Sequence, residues 1–257
     1  MIAAAGAAAA TVAVAGCGAQ AGTSGGSAAH VAAPDIPAPA RGGLPIGAAE
    51  PLRADPHAVQ WAPLRRAAVA RAAPSPGARA VASLSSRTPE GTSNLVLVLG
   101  RARDAHGGLW IRALLPARRA QTGWLPRAAL GGYEEVHTRL VVDRARLTLT
   151  LLRNGRAVFR APVGIGRAAT PTPAGAFYVR DRLTRYASPF YGPIAFGTSA
   201  QSATLTDWPA GGYVGIHGTN QPDLVPGRVS HGCIRLRNAD IARLARLLPV
   251  GTPLQIR

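Results

Sequence analysis

Lysine is absent from this chain: all 29 basic side chains are Arg, and with 12 acidic residues they leave a formal net charge of +17. Such a balance fits nucleic-acid binding or long-range attraction to an anionic surface. The arginines stand singly or in pairs, without a basic run or interleaved aromatics. Nucleic acid is therefore set aside as a partner, and a general Ala/Arg bias accounts for the excess; attraction to an anionic cell envelope stays compatible. Aromatics are scarce at 5%, so the packed regions must be built from Val, Leu and Ile, which suits short strands. Cysteine is nearly absent, with only Cys17 and Cys233. One sits in an apolar leader and the other in a His-Gly-Cys turn, and these contexts argue against a disulfide between them.

Residues 2–16 hold only Ala, Gly, Ile, Val and one Thr. The run has the length of a signal-peptide core and is too short to span a bilayer. It ends in Val14-Ala15-Gly16-Cys17, which resembles the bacterial lipobox, although no positive charge precedes Arg41. The resemblance implies a lipoprotein signal segment over 1–17, with Cys17 lipidated and a membrane anchor of more than one acyl chain. The protein is then expected outside the cell, at the outer face of the cytoplasmic membrane and in contact with the wall. A plain secretory signal with an incidental cysteine is the alternative. From 18 to 56 the chain is Ala, Gly, Pro and Ser with almost no apolar periodicity, which predicts a disordered, partly extended tether.

Between 57 and 132, Leu95–Leu99 and Leu109–Leu115 read as strands separated by Gly-Gly and Pro signals, and a small β-barrel is predicted. Trp110-Ile111-Arg112 followed by Thr122-Gly123-Trp124 resembles a bacterial SH3-like module, with the two tryptophans in structural positions. From His137 onward β patterning dominates. Leucines alternate in Arg146–Leu152, Asn154-Gly155 is a two-residue hairpin turn, Ala157–Val163 returns, and Pro171–Val179 bends into a further strand. The sheet is expected to be mostly antiparallel. Asn238 is placed to cap a helix with Ile241, Leu244, Ala245 and Leu248 on one face, and Leu254–Ile256 is a last strand.

The chemistry concentrates in Gly215–Arg237, GIHGTNQPDLVPGRVSHGCIRLR. A thiol is a strong nucleophile only as thiolate, which calls for an adjacent base or positive charge. His217 precedes Cys233 by sixteen positions, a spacing that suits facing it across two strands. His231 is two positions before Cys233 and would point to the same side of an extended segment. A zinc site from His217, His231 and Cys233 lacks a fourth ligand and the short ligand spacings, so no metal is expected. Asp143, Asp181, Asp207, Asp223 and Asp240 show no triad spacing. Tyr186, Tyr191, Phe196 and Trp208 either line a channel or pack.

Ser230-His231-Gly232-Cys233-Ile234-Arg235, with Ile216-His217-Gly218-Thr219-Asn220 upstream, resembles the signature of the L,D-transpeptidase (YkuD) catalytic domain. The similarity runs over 137–257 and takes in the Thr-Pro-Thr-Pro stretch. It implies a mainly β fold: a YkuD-type β-sandwich with a short C-terminal helix, preceded by the SH3-like barrel. It implies Cys233 as nucleophile and His217 as base, oriented by the Gly218 carbonyl. Backbone N–H groups of His231, Gly232 and Cys233 would face an oxyanion, Ser230 would support the turn, and Arg235 would position the motif or a substrate carboxylate. Tyr191, Thr219 and Asn220 are the expected substrate contacts. The implied reaction is acyl transfer on peptidoglycan tetrapeptide stems, releasing D-Ala and forming 3→3 cross-links, without a cofactor and with carbapenem-type inhibitors. An L,D-carboxypeptidase and a non-catalytic wall-binding lipoprotein are the alternatives.

Overall fold

The Asn154-Gly155 pair turns the chain with positive φ at both residues, 50° and 77°, and joins strands Thr148–Arg153 and Arg156–Pro162. Two successive positive φ values are what a two-residue hairpin needs to match the right-handed twist of its strands. The computed structural model describes residues 55–117, 120–184, 189–202, 204 and 212–257, all within one compact unit. The leader, Cys17, the tether up to residue 54, Tyr186, Asp207 and Trp208 lie outside the described residues.

The fold is mainly β. Seven strands between Val59 and Val136 form one sheet, and ten strands between Thr138 and Ile256 form another. Strands Leu95–Arg103 and Leu109–Leu115 fall where the sequence predicts them. Trp110 is buried and its indole N–H donates to Asp104 at 2.8 Å, a structural use of the ring.

In the ten-stranded sheet the long strand Gly175–Leu183 is shared by two halves. Leu140, Val142, Leu149 and Leu151 from one half and Phe196, Val214, Ile216 and Ile234 from the other meet in one core, a sandwich-like arrangement. Alternation along each strand puts one face into this core and frees the opposite face for chemistry.

The sheet is mostly antiparallel, as the sequence predicts, with three parallel pairings: Pro253–Ile256 runs parallel to Thr138–Asp143, Tyr213–His217 to Ile234–Arg235, and Gly164–Gly166 to Gly227–Ser230. Each of these pairs is separated by a long connection, as parallel pairing requires. The structure departs from expectation at the helix, which is short, Asn238–Leu244, with Asn238 as its first residue and not its cap. Ile241, Leu244, Ala245 and Leu248 are nevertheless all buried in the core, the last two in the turn that follows. No helix among the described residues is long and apolar enough to cross a membrane.

The two sheets are joined through Tyr178, which is fully buried among Val59, Leu95, Leu97, Leu114 and Val136. Its hydroxyl donates to the Leu95 carbonyl at 2.9 Å. Ala117 adds backbone bonds to Ser199 and Gln201. The first sheet therefore rests on the same side of strand Gly175–Leu183 that points away from the sandwich core.

Candidate active site

Strand Tyr213–His217 alternates strictly: Val214 and Ile216 enter the core, so Tyr213, Gly215 and His217 face the other way. Its parallel partner pairs Ile234 with Ile216 and Arg235 with His217. One step earlier, Cys233 stands beside Gly215, whose N–H donates to Sγ at 3.3 Å. Cys233, His217 and Arg235 therefore share one face of the sheet, and glycine at 215 leaves no side chain between thiol and imidazole. The thiol is 6% exposed and packs with Ala195, Leu183, Tyr191 and Tyr213.

His217 is 2% exposed, and its Nδ1 lies 2.6 Å from the Gly218 carbonyl oxygen. Only an N–H can face a carbonyl at that distance, so Nδ1 holds the proton and Nε2 presents a lone pair. Burial is the main cause that lowers the His217 pKa, the bond to Gly218 raises it, and the Arg235 charge lowers it, with a net value of about 4. The ring is thus neutral near pH 7 and able to accept a proton. No carboxylate fills the third position; a main-chain carbonyl does. The Tyr191 ring meets His217 edge-on, with centroids 4.9 Å apart.

The turn that carries the thiol is fastened from beneath. Ser230, 1% exposed, donates to the Cys233 carbonyl at 2.6 Å and accepts from the Gly232 N–H at 3.1 Å. Gly232 has φ 129°, a conformation only glycine takes readily. Thr172, also 1% exposed, donates to the Gly232 carbonyl at 2.8 Å and accepts from the Gly166 N–H at 2.9 Å. The Thr170 hydroxyl adds a bond to the Ser230 carbonyl. Loss of the Ser230 or Thr172 hydroxyl leaves buried groups unsatisfied, a cost of about 1–3 kcal/mol each.

The structure places the remaining expected site residues as follows. The Gly232 N–H donates to the Ser230 hydroxyl oxygen at 3.1 Å and so fastens the turn. Thr219 is 2% exposed; its N–H donates to Asn238 Oδ1 and its hydroxyl accepts from the Gln221 N–H, so it shapes the loop. Asn220 is exposed, and His231 is exposed at the tip of its turn. Asn238 does not cap the helix with its side chain; Oδ1 instead wedges against Gly192 and Gly218, where a Cβ at either glycine would strike it. Arg235 is half-buried, with Nε lacking a hydrogen-bond partner among the described residues. Phe196 is a core residue. Among the described residues no group of three or more His, Cys, Asp or Glu could hold a metal ion.

Two contributors carried no assigned role in the sequence: Thr172, visible only as part of the Thr-Pro-Thr-Pro stretch, and Tyr213, whose place beside the thiol follows from strand alternation once the register is known.

Residues 137–256 match the family described as the L,D-transpeptidase catalytic domain, YkuD. The Bacillus subtilis protein YkuD, an L,D-transpeptidase by name, is 38% identical over 117 residues, 46% of this chain and 64% of that protein. YqjB of the same organism, also an L,D-transpeptidase by name, is 30% identical over 122 residues, 44% of this chain and 67% of that one. The chain thus spans just under two thirds of the length of the YkuD relative. Among solved structures, the catalytic domain of the E. faecium L,D-transpeptidase is 26% identical and covers 47% of this chain and 96% of that chain, with a TM-score of 0.35.

Proposed function

Because this chain belongs to the YkuD family of L,D-transpeptidase catalytic domains, we propose that it is a cysteine acyltransferase acting on tetrapeptide stems of peptidoglycan. The observation that carries the reading is the shared sheet face of Cys233 and His217, with the neutral imidazole held through Nδ1 by the Gly218 carbonyl.

In the proposed reaction Nε2 of His217 takes the thiol proton and Sγ of Cys233 attacks the carbonyl between the L-centre and the D-centre of the stem. The positive charge of Arg235 favours the thiolate. The Cys233 N–H contributes to stabilising the tetrahedral oxyanion, a type of donor worth about a hundredfold or more in rate. Collapse breaks the C–N bond, the His217 proton passes to the departing amine, and D-Ala leaves with a thioester behind. A side-chain amine of a second stem then attacks the thioester, His217 accepts its proton, and the thiol is restored with a 3→3 peptide bond formed. No step calls for a cofactor.

The wall substrate requires a place outside the cell. We propose export and lipidation at Cys17, supported by the apolar 2–16 run and the Val-Ala-Gly-Cys sequence. Mutating Cys17 to Ala is expected to release the protein from the membrane fraction; unchanged fractionation would remove the anchor from the proposal.

Incubation of the purified protein with disaccharide tetrapeptide, read by mass spectrometry, tests the reaction. A cross-linked dimer lacking one D-Ala supports the transpeptidase. Tripeptide alone would make water the acceptor and the protein an L,D-carboxypeptidase. Absence of both products would overturn the enzymatic reading in favour of a wall-binding lipoprotein.

A further inference from the structure

Arg180 lies on strand Gly175–Leu183 and is 1% exposed, although it takes no part in the thiol chemistry described above. Its neighbours Phe177 and Val179 belong to the sandwich core, while Tyr178 and Arg180 face the other way, toward the seven-stranded sheet and the thiol. A guanidinium this deep is costly unless it is paired and hydrogen-bonded. Arg180 Nη2 donates to Glu90 Oε2 at 2.8 Å, and the Glu90 side chain is itself only 6% exposed. Glu90 comes from the loop between strands Ala80–Leu84 and Leu95–Arg103 of the first sheet.

A second carboxylate competes for the same cation. Asp181 Oδ2 is 3.6 Å from Arg180 Nε, beyond hydrogen-bond distance, and Asp181 is already engaged by the Gly197 N–H and the Thr92 hydroxyl. Burial raises its carboxyl above the ordinary range, Arg180 pulls it back, and Glu90 pushes it up further. The flat side of the guanidinium is spent on Tyr213, with Arg180 Cζ 3.9 Å from the ring centroid. Tyr213 in turn packs against the small cluster that Ala195 and Cys233 form.

We propose that Glu90 is a positioning residue for the thiol site: from the first sheet it fixes the Arg180 guanidinium under Tyr213, and so fixes the aromatic wall against which Cys233 stands. Without Glu90 the guanidinium turns toward Asp181, the other carboxylate beside it among the described residues, and Tyr213 loses its support. The first sheet is then part of the active-site architecture and not only a neighbour of it. Replacing a buried ion pair with apolar residues is often neutral for stability, so a positional role accounts for charge here better than a stabilising one. This inference rests on Cys233 as the reacting thiol but not on the choice of stem peptide.

The full chain carrying Glu90→Gln, which keeps size and removes charge, tests it. Alkylation of Cys233 by iodoacetamide, measured while circular dichroism shows the variant folded, is expected to slow about tenfold, since small displacements of reacting groups have effects of that order or more. Arg87→Ala serves as the loop control: its Nη1 donates to the Gly91 carbonyl at 2.7 Å and it is exposed, so it loosens the same loop without touching Arg180. It should alkylate at the wild-type rate. Wild-type alkylation in Glu90→Gln, or equal slowing in Arg87→Ala, overturns the proposal. If the wild type transfers no acyl group from tetrapeptide while the alkylation difference stands, the substrate reading fails and the positioning role survives.

Discussion

Nδ1 of His217 stands 2.6 Å from the carbonyl oxygen of Gly218, the next residue in the chain. This contact selects one tautomer, aims Nε2 along the face that carries Cys233, and replaces the carboxylate of a triad with a neutral dipole. A carboxylate there would stabilise the imidazolium. Burial penalises the imidazolium and the Arg235 charge adds to that penalty; the Gly218 carbonyl offsets only part of it, and the His217 pKa falls to about 4.

That depression has consequences for activity and stability. As a base, His217 must be unprotonated, so the acid limb of thiol acylation is expected near pH 4 and not near the ordinary 6.5. For stability the sign follows from where protons bind. Below pH 6.5 the unfolded imidazole takes up a proton that the folded one refuses, so the contribution is complete above 6.5 and is lost as pH falls toward 4. Its size is roughly 3 kcal/mol at about 1.4 kcal/mol per pH unit. Denaturant melts of wild type and His217→Asn from pH 7.5 to 4 check it: the wild type should lose more stability over that window than the variant. Equal losses would show that the buried imidazole is not the titrating group.

Thr172 joins the Pro-rich bend to the thiol turn through Gly166 N–H and the Gly232 carbonyl. Valine at 172 keeps the shape and leaves both buried groups unpaired. A loss of about 2–4 kcal/mol is expected from two orphaned groups, along with slower acylation of Cys233 because Gly232 is no longer tethered. Ser230→Ala should act the same way through Cys233 O and Gly232 N. A Thr172→Val protein that melts and acylates like the wild type would separate the bend from the site.

How much of this was legible in the sequence depends on the range of the interaction. The Asn154-Gly155 hairpin, strand Leu109–Leu115 and the buried face of Ile241, Leu244, Ala245 and Leu248 rest on contacts between near neighbours, where periodicity and turn chemistry decide. The thiol and imidazole were also readable, because few residue types can do that chemistry and strand alternation puts them on one face. Thr172 to Gly232 spans 60 residues and Arg180 to Glu90 spans 90. Contacts of that range depend on which elements become neighbours: the parallel pairing of Gly164–Gly166 with Gly227–Ser230 brings the first together, and the packing of the first sheet against strand Gly175–Leu183 the second. Asn238 illustrates the same limit: local preference favours a cap, yet a close approach of Gly192 and Gly218 claims its oxygen.

The Gly192, Gly218 and Asn238 contact should behave as a unit. A methyl at Gly218 runs into Asn238 Oδ1 and crowds the Gly192 Cα. Gly218→Ala is expected to cost about 1–3 kcal/mol by overpacking and to slow acylation by displacing the carbonyl that orients His217. Asn238→Ala removes the nearest obstacle but also the acceptor for the Thr219 N–H. The double variant should therefore be more stable than the sum of the two single losses predicts, a coupling readable in a double-mutant cycle. Strict additivity would mean that the clash relaxes elsewhere, through Pro193 or the backbone.

The thiol itself is open to the most direct measurement. A carbapenem offers a strained amide carbonyl that needs no second stem and, once opened, no small leaving group departs. Attack by Sγ of Cys233 should add the intact mass of the drug to the protein. Cys233→Ala should abolish the adduct completely. His217→Asn should slow its formation by about a hundredfold or more, the range of a lost general base, without preventing it at high pH, where the thiol ionises unaided. Asn at 217 can keep a donor toward Gly218 but offers no basic nitrogen, so the difference between the two variants separates the nucleophile from the base. Adduct formation that persists in Cys233→Ala would place the reacting group elsewhere. A His217→Asn protein with the wild-type rate near pH 7 would show that the Arg235 charge, not the imidazole, activates the thiol.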